Sequence, residues 1–321
     1  MKKFIIRIVL PVLVLCSALF WVGELYLRSL PNDFKTKNAY LENNADKLKV
    51  MVLGASSMSM GLKPSFLDKQ PAYNFAYASQ SLDYDYWILS KCFERLDSLE
   101  WVLLDFQFAR PWFPYNTGDD NYNKYYTIYY SYPDNRNGTF SEKYEVAVGL
   151  QGILQRIFPK NPKQALKTID NDGYQSGYYE DLPFDKEKWE KAVLWNLEHH
   201  SVLSDEDATQ RYREGVALYC HMIELCKKRN VKVALVTLPT MSMFYEKFDS
   251  CQINIVRHLA DSLSSAYSNV YYWDYFKADS LFAVDDFYNP THLNPRGAKK
   301  FTLLLNKKMI ENEDPKGCSS N

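Results

Sequence analysis

Residues 48–64 read LKVMVLGASSMSMGLKP, and the rest of the chain is best interpreted outward from this stretch. The apolar run from Val50 to Leu53 is followed directly by Gly54, as in a strand buried on both faces of a parallel sheet. A sharp turn from this strand into a helix would raise the hydroxyl of Ser56 at the carboxyl edge of the sheet, where open α/β sheets bind ligands. Ser56 is therefore a candidate nucleophile, although serine-rich polar turns without chemistry give the same local pattern.

Strands and helices alternate along most of the chain. Short apolar runs bounded by turn residues predict buried strands at 50–53, 73–77, 101–106, 231–238 and 270–275. Segments with helical spacing of apolar residues separate these runs, and a final one follows Gly297. This alternation is typical of a parallel sheet between two layers of helices. We therefore expect residues 48–321 to form a three-layer α/β/α domain around a parallel five-stranded sheet.

The segment 110–203 interrupts this alternation. It contains a cluster of tyrosines between 122 and 132, in a chain that has 25 tyrosines, 18 phenylalanines and 7 tryptophans. Aromatic enrichment of this kind suits a broad binding surface that faces sugar or protein, and it also occurs in ordinary cores. We expect a Tyr-rich helical insertion, which is too long to be a simple loop and has the length of a lid.

The N-terminus predicts a membrane anchor. Basic residues precede an apolar run that continues to Leu27 and is broken by Glu24. Counted from Phe4, about 24 residues at ~1.5 Å each are enough to span a bilayer. The basic residues place the start in the cytoplasm, and no small-residue cleavage site follows the run. We expect residues 1–28 to be a retained, single-pass signal anchor in the cytoplasmic (inner) membrane. Residues 29–47 would then be a tether, with the domain on the extracytoplasmic, periplasmic side.

Charge and cysteine spacing argue against several other classes of protein. The chain has 38 basic and 39 acidic residues and a formal net charge of −1, which gives no electrostatic basis for binding nucleic acid. The 6 cysteines follow no zinc-binding pattern, and no other spacing predicts a metal site. We therefore expect no metal, no cofactor and no nucleic-acid partner.

The end of the chain supplies a partner for Ser56. Residues 285–297 read DDFYNPTHLNPRG and place His292 just before the last predicted helix. The early GAS and the late HLNPRG together resemble the SGNH (GDSL-like) hydrolase superfamily, particularly its membrane-anchored cell-envelope branch. The resemblance spans residues 48–310, apart from the insertion. It implies a flavodoxin-like SGNH fold in which Ser56 is the nucleophile and His292 is the general base.

One departure from the family pattern concerns the acid of the catalytic triad. The family has an aspartate three residues before the histidine, whereas this chain has Asn289 there. In a serine protease the same change costs about 10⁴ in turnover, because the amide favours the wrong histidine tautomer. Asp285 and Asp286 are candidates for a displaced acid, and the charged residues of a solvated loop would give the same pattern.

Two further departures concern the groups that bind the oxyanion. The family's second-block glycine, which donates its N–H to the oxyanion, corresponds to Ser79 here. Serine keeps that N–H, so Ser56 and Ser79 are the expected pair of donors. The third-block asparagine has no clear counterpart after the third strand, where Gln107 and Arg110 are the candidates. Loss of one oxyanion donor costs roughly 10²–10³ in turnover.

The resemblance implies an acyl ester hydrolase or acyl (acetyl) transferase that acts on an envelope polysaccharide or another acylated glycan. In that function we expect Tyr125, Tyr126 and Arg110 to bind the substrate, with the tyrosine rings stacked on sugar faces. The departure at Asn289 favours a second hypothesis. In that hypothesis the chain is a non-catalytic SGNH-like protein that binds glycan or acts as a scaffold for a membrane-bound acyltransferase.

Overall fold

A computed structural model describes residues 2–115, 122–133, 143–161, 165–176 and 184–313. The chain divides into two compact units. Unit 1 contains residues 1–39 and 119–168, and unit 2 contains residues 40–118 and 169–321. The helices of the described residues are α1 (Lys2–Ser29), α2 (Asp33–Asn44), α3 (Ser56–Gly61), α4 (Leu82–Cys92), α5 (Asn123–Tyr130), α6 (Gly149–Ile157), α7 (Lys186–His200), α8 (Ala208–Lys228), α9 (Ser242–Tyr245), α10 (Ser250–Ala266) and α11 (Pro295–Glu311).

Unit 2 is built on a parallel five-stranded sheet, which confirms the α/β class predicted from the sequence. Its strands are β1 (Val50–Leu53), β2 (Ala72–Asn74), β3 (Trp101–Asp105), β4 (Lys232–Thr237) and β5 (Val270–Asp274). Their order is β2-β1-β3-β4-β5, and every neighbouring pair is parallel. All residues of β1 and β3 are buried, as expected for strands that are apolar on both faces. Because β2 and β3 lie on opposite sides of β1, the sheet has its switch point between the carboxyl ends of β1 and β3.

A short antiparallel pair precedes the last helix of unit 2. It consists of β6 (Phe287–Asn289) and β7 (His292–Leu293). Leu293 joins a core cluster that also contains Val52 and Leu103 from the sheet and Phe301 from α11. The apolar residues of β7 and α11 therefore fix this pair to the same core that holds β1.

Unit 1 joins the N-terminal helix to part of the predicted insertion. Within α1, residues Arg7–Ser29 are long and apolar enough to cross a membrane, and only 6% of the most apolar window is buried. Glu145 is fully buried in this unit. Its carboxylate accepts a hydrogen bond from the Tyr129 hydroxyl (2.5 Å) and one from the Asn32 side-chain amide (3.4 Å). These bonds tie the turn before α6 to α5 and to the start of α2.

Two segments differ from the organisation that we expected. Residues 29–47, expected to be a tether, contain the 12-residue helix α2, on which Phe34 and Leu41 are buried. These two residues are seven positions apart and therefore share one helical face. The segment 110–203, expected to be one insertion, is divided between the two units: residues 119–168 belong to unit 1, and residues 110–118 and 169–203 belong to unit 2.

Candidate active site

The carboxyl edge of the sheet brings Ser56 and His292 together. Ser56 begins α3 directly after β1, and His292 begins β7 just before α11. The Oγ of Ser56 lies 2.8 Å from the Nε2 of His292, although 236 positions separate the two residues in the chain. This distance allows the histidine to take the hydroxyl proton directly. Both side chains are half-buried, and they lie beside the switch point of the sheet.

The second ring nitrogen of His292 faces Asn289. Nδ1 of His292 lies 3.1 Å from Oδ1 of Asn289 and 3.0 Å from Oγ1 of Thr291. Oδ1 of Asn289 also accepts the backbone N–H of Thr291 at 2.9 Å. Because a backbone N–H only donates, this bond fixes the amide with its oxygen towards the ring. The oxygen then accepts the Nδ1–H of His292, which leaves Nε2 unprotonated and free to accept the proton of Ser56.

The surroundings of His292 favour its neutral form. Burial lowers the pKa of His292 to about 4, and the nearby His200 acts in the same direction. His200 ends α7, and its Nδ1 lies 3.0 Å from the carbonyl oxygen of Asn196. At neutral pH His292 is therefore an unprotonated base. Sequence reasoning gave His200 no role, since nothing at the end of an amphipathic helix indicates that it approaches the sheet edge.

Asp105, the last residue of β3, holds the turn that carries Ser56. Its Oδ2 accepts the backbone N–H of Ala55 at 3.1 Å and the hydroxyl of Ser57 at 2.7 Å. A Cβ atom at Gly54 would lie 2.4 Å from the Cβ of Asp105, and the φ angle of Gly54 is +145°. Glycine is therefore required at this turn both by space and by backbone conformation. Sequence reasoning missed Asp105, and the available signal was a carboxylate at the very end of a buried strand.

Arg110 lies in the interior and not at a substrate-binding surface as we expected. It is 6% exposed, and its guanidinium pairs with the carboxylate of Asp85. Its Nη1 donates to the carbonyl oxygen of Gln80 at 2.6 Å, and its Nε lies 3.8 Å from Oδ2 of Asp105. Burial raises the pKa of Asp85 to about 7, against the opposing effect of the Arg110 charge. The guanidinium thus belongs to a buried cluster behind the Ser56 turn.

The two aspartates considered as a displaced acid are bound elsewhere. Asp286 is fully buried and pairs with Arg296 at 2.9 Å and Lys300 at 3.0 Å. Burial alone would raise the pKa of Asp286, but a backbone N–H and these two cations lower it. The side chain of Asp285 is 78% exposed and lies 3.8 Å from Arg296. The structure corrects the displaced-acid hypothesis, because the acceptor that faces the ring of His292 is the amide of Asn289.

The HLNPRG motif acts through the start of α11. Asn294 is the N-cap of this helix, and its Oδ1 accepts the N–H of Gly297 at 3.0 Å. Its Nδ2 donates to the carbonyl oxygen of Asp285 at 2.7 Å. A Cβ atom at Gly297 would lie 2.0 Å from the carbonyl oxygen of Asp286. These residues therefore hold the 285–294 loop against α11 and keep His292 opposite Ser56.

The expected oxyanion donors lie on separate turns of unit 2. The N–H of Ser56 belongs to the first residue of α3, and Ser79 lies in a turn after β2 with a φ angle of 57°. A positive φ is what glycine adopts without strain, and this chain has a serine in that conformation. Gln107 directs its side-chain Nε2 to the carbonyl oxygen of Leu238 at 3.4 Å. The oxyanion roles of Ser56 and Ser79 stay a prediction.

Tyr125 and Tyr126 are core residues of unit 1 and not the exposed sugar-stacking surface that we expected. They are 3% and 2% exposed. The ring centroids of both lie close to that of Phe34, at 5.2 Å for Tyr125 and 5.1 Å for Tyr126. A ring that is enclosed on all sides cannot stack on a sugar. Composition could not separate these cases, because core tyrosines and binding tyrosines look alike in sequence.

Comparisons with known proteins assign no family to the chain. No protein-family model matches the sequence, and no curated protein matches it significantly. Across the described ranges, no group of three or more histidine, cysteine or acidic side chains is arranged to hold a metal ion. The function is therefore inferred from the geometry around Ser56, His292 and Asn289.

Proposed function

We propose that this protein is a membrane-anchored, SGNH-like serine enzyme that hydrolyses or transfers a small acyl group, most simply acetyl, on an envelope glycan. The observation that carries the proposal is the 2.8 Å contact between the Oγ of Ser56 and the Nε2 of His292. Asn289 supports it, since its fixed amide oxygen selects the productive tautomer of His292. A serine, a base and a group that orients the base are the three parts that nucleophilic catalysis requires.

The reaction follows from these positions. Ser56 Oγ attacks the ester carbonyl carbon while Nε2 of His292 takes the hydroxyl proton. The N–H groups of Ser56 and Ser79 bind the oxyanion that forms. The intermediate collapses, His292 gives its proton to the departing alcohol, and the acyl group stays on Ser56. Water or a sugar hydroxyl then gives a proton to His292 and attacks the acyl-serine. As this second intermediate collapses, the bond to Ser56 Oγ breaks, His292 returns the proton to that oxygen, and the free acid or the new ester leaves.

The strand order of the sheet supports the proposed SGNH-like fold. Its order, β2-β1-β3-β4-β5, is the doubly wound order of flavodoxin-like proteins, which place their ligands at the switch point between β1 and β3. Ser56 follows β1 directly, so the proposed nucleophile lies at that point. Among folds with this strand order, the three-layer SGNH fold is the one that agrees with the GAS and HLNPRG motifs.

The membrane location rests on α1. Its residues Arg7–Ser29 are long and apolar enough to span a bilayer, and basic residues precede them. The site would therefore lie outside the cytoplasmic membrane, on the periplasmic side. A C-terminal reporter that is active only in an exported compartment tests this orientation, and activity of a cytoplasm-only reporter would contradict it.

A glycan acceptor is supported by exposed rings of unit 2. Trp195 on α7 is 55% exposed, and His199 stacks on its ring at 4.1 Å. The same helix ends at His200, which helps to lower the pKa of His292. An exposed tryptophan of this kind suits stacking on a sugar face. Trp195 therefore takes the substrate-binding role first expected of Tyr125 and Tyr126.

Reaction with a serine-directed fluorophosphonate tests the catalytic proposal. The probe reacts with a serine that has been activated by a base, so the folded protein should be labelled at Ser56. Ser56→Ala and His292→Ala should each abolish the label. Heat-denatured protein is the control for non-specific reaction. If the native protein is not labelled at Ser56, the serine is not activated and the catalytic proposal fails.

The competing function is a non-catalytic glycan-binding or scaffold protein that assembles with a membrane-bound acyltransferase. The observation that favours it is Asn289, which offers His292 an acceptor without the negative charge of an aspartate. In that case Ser56 and His292 would keep their hydrogen bond without turnover. Glycan binding that survives Ser56→Ala, combined with no fluorophosphonate labelling of the native chain, would support this function.

A further inference from the structure

Helix α6 of unit 1 carries an apolar face that points away from the protein. Its sequence with the following residue, GLQGILQRIF, places Leu150, Ile153, Leu154, Ile157 and Phe158 on one helical face. Leu150, Leu154 and Phe158 are 73%, 47% and 72% exposed. A surface helix of a water-soluble domain has the opposite arrangement, with its apolar stripe towards the core.

The other face of α6 is the one that contacts the protein. Arg156 is buried there, and its Nη1 donates to the carbonyl oxygens of Pro31 (3.0 Å) and Ala165 (2.9 Å). Its guanidinium also lies 3.7 Å from the buried carboxylate of Glu145. At 100° per residue, Arg156 lies well over a quarter turn from Leu150 and from Phe158. The outward direction of the apolar face is therefore fixed by a buried charged residue.

The same contacts fix α6 beside the end of the membrane helix. The N–H of Val146, just before α6, donates to Oε2 of Glu24 at 3.0 Å. Arg156 Nη2 lies 3.5 Å from the carbonyl oxygen of Leu27. Glu24 and Leu27 are on the last turns of α1, where its apolar run ends. In a spanning helix these turns lie at the boundary between hydrocarbon and water.

Aromatic residues mark the same level of α1. Phe20 and Trp21 pack edge-on against Tyr144, with centroid distances of 5.1 Å and 5.9 Å. Aromatic rings are enriched where membrane helices cross the headgroup region. The exposed apolar face of α6 is thus carried beside the end of the apolar run of α1, at the level expected of an interfacial helix.

We propose that α6 lies in the interfacial layer of the phospholipid bilayer, with Leu150, Leu154 and Phe158 inserted among the lipid chains. The occupant of this face is lipid because the face is fixed beside the end of α1, whose apolar run carries exposed side chains such as Leu13, Leu19 and Val22. Unit 1 would then be held against the membrane by two contacts, α1 across it and α6 along it. This rests on the membrane anchoring of α1 in the proposed function and is independent of the chemistry at Ser56.

Fluorescence quenching in phospholipid nanodiscs tests the inference on the full chain. A cysteine that replaces Leu154 carries an environment-insensitive fluorophore, in a background with Cys16, Cys220, Cys251 and Cys318 changed to serine and the buried Cys92 and Cys226 retained. The quenchers are phospholipid bearing a nitroxide near its headgroup and, separately, aqueous iodide. Label at Leu154 should be quenched strongly by the nitroxide lipid and weakly by iodide. Label at Gln155, an exposed polar position of the same helix, is the matched control and should show more iodide quenching.

A third label at Leu13, an exposed residue in the middle of α1, reports whether the anchor is inserted. If Leu13 is quenched by nitroxide lipid while Leu154 responds to iodide as Gln155 does, the face is in water and the inference is wrong. If neither quencher reaches Leu154, a protein surface covers it, which also refutes the inference. If nitroxide lipid does not quench the label at Leu13, α1 is not inserted in the bilayer, and both the membrane anchor and the α6 contact are refuted. Fluorophosphonate labelling of Ser56 tests the catalytic proposal separately.

Discussion

Asn289→Asp is the substitution that examines the proposed chemistry most directly. The new carboxylate would take the place of an amide oxygen that lies 3.1 Å from Nδ1 of His292. The N–H of Thr291 already donates to that oxygen at 2.9 Å and would equally stabilise a carboxylate. The replacement is also nearly isosteric. We therefore expect the variant to fold with the same loop geometry.

The magnitude follows from the charge. Unit charges about 4 Å apart interact by about 4 kcal/mol at an effective dielectric of 20. Part of this is lost, because the carboxylate must be desolvated and the amide already makes a hydrogen bond. A carboxylate beside an imidazole typically shifts a pKa by about 1–3. If the imidazolium in the transition state keeps even the lower end of that range, turnover rises roughly tenfold, or about 1.4 kcal/mol off the barrier.

Hydrolysis of a small acetyl ester by the purified full chain is the assay, with kcat/KM measured across pH. Asn289→Asp should raise kcat/KM. It should also shift the acidic limb of the pH profile to higher pH, because the new carboxylate raises the pKa of His292. Asn289→Ala is the matched control and should lower the rate, because the tautomer is no longer fixed. The double variant Ser56→Ala/Asn289→Asp should be inactive. Unchanged rate and unchanged pH profile in Asn289→Asp would refute the assignment of Asn289 to the acid position.

The remaining predictions use the same chain. Ser56→Ala and His292→Ala should each abolish ester turnover, and the double variant should be no worse, because the two act as a unit; additive losses in kcat would contradict this. The kcat/KM of the native protein should rise through about pH 4 and then stay level to neutral pH, since burial lowers the pKa of His292 to about 4. The same shift predicts that folding stability falls as pH drops from about 6.5 towards about 4, because the unfolded chain binds that proton more tightly. Tyr126→Ala should cost about 3–5 kcal/mol in chemical unfolding, as for other buried aromatic truncations, whereas Tyr126→Phe should cost less; a negligible loss would place the ring at the surface. Trp195→Ala should weaken glycan binding while small-ester hydrolysis is unchanged, and equal loss on both substrates would show a structural role.

The sequence predicted most of unit 2 because local signals there agree with the tertiary structure. Val50 to Leu53, followed by Gly54, read as a buried strand and its end, and both are found where expected. The loop carrying His292 was singled out by the HLNPRG motif, and the structure shows that Asn294 of this motif caps the last helix.

The remaining features of the site and of unit 1 could not be predicted from the sequence, because they depend on tertiary contacts between distant residues. Arg110 has the polarity expected of a ligand-binding residue. Only the structure shows that it pairs with Asp85 in the interior instead. The orientation of the Asn289 amide depends on a backbone N–H of Thr291, which has no sequence signature. The outward apolar face of α6 has the same periodicity as a core-facing one, so periodicity alone could not give its direction.

The buried cluster behind Ser56 adds an electrostatic condition to the proposed site. Asp105 is needed to hold the turn through Ala55 and Ser57, but a bare carboxylate there would oppose negative charge developing on an oxyanion beside Ser56. Arg110, 3.8 Å from that carboxylate, offsets its charge. Arg110 is also paired with Asp85, so its guanidinium lies between two carboxylates, and burial raises the pKa of Asp85 to about 7. The cluster therefore positions the nucleophile turn through Asp105 while the Arg110 guanidinium offsets part of the negative charge behind the proposed oxyanion site.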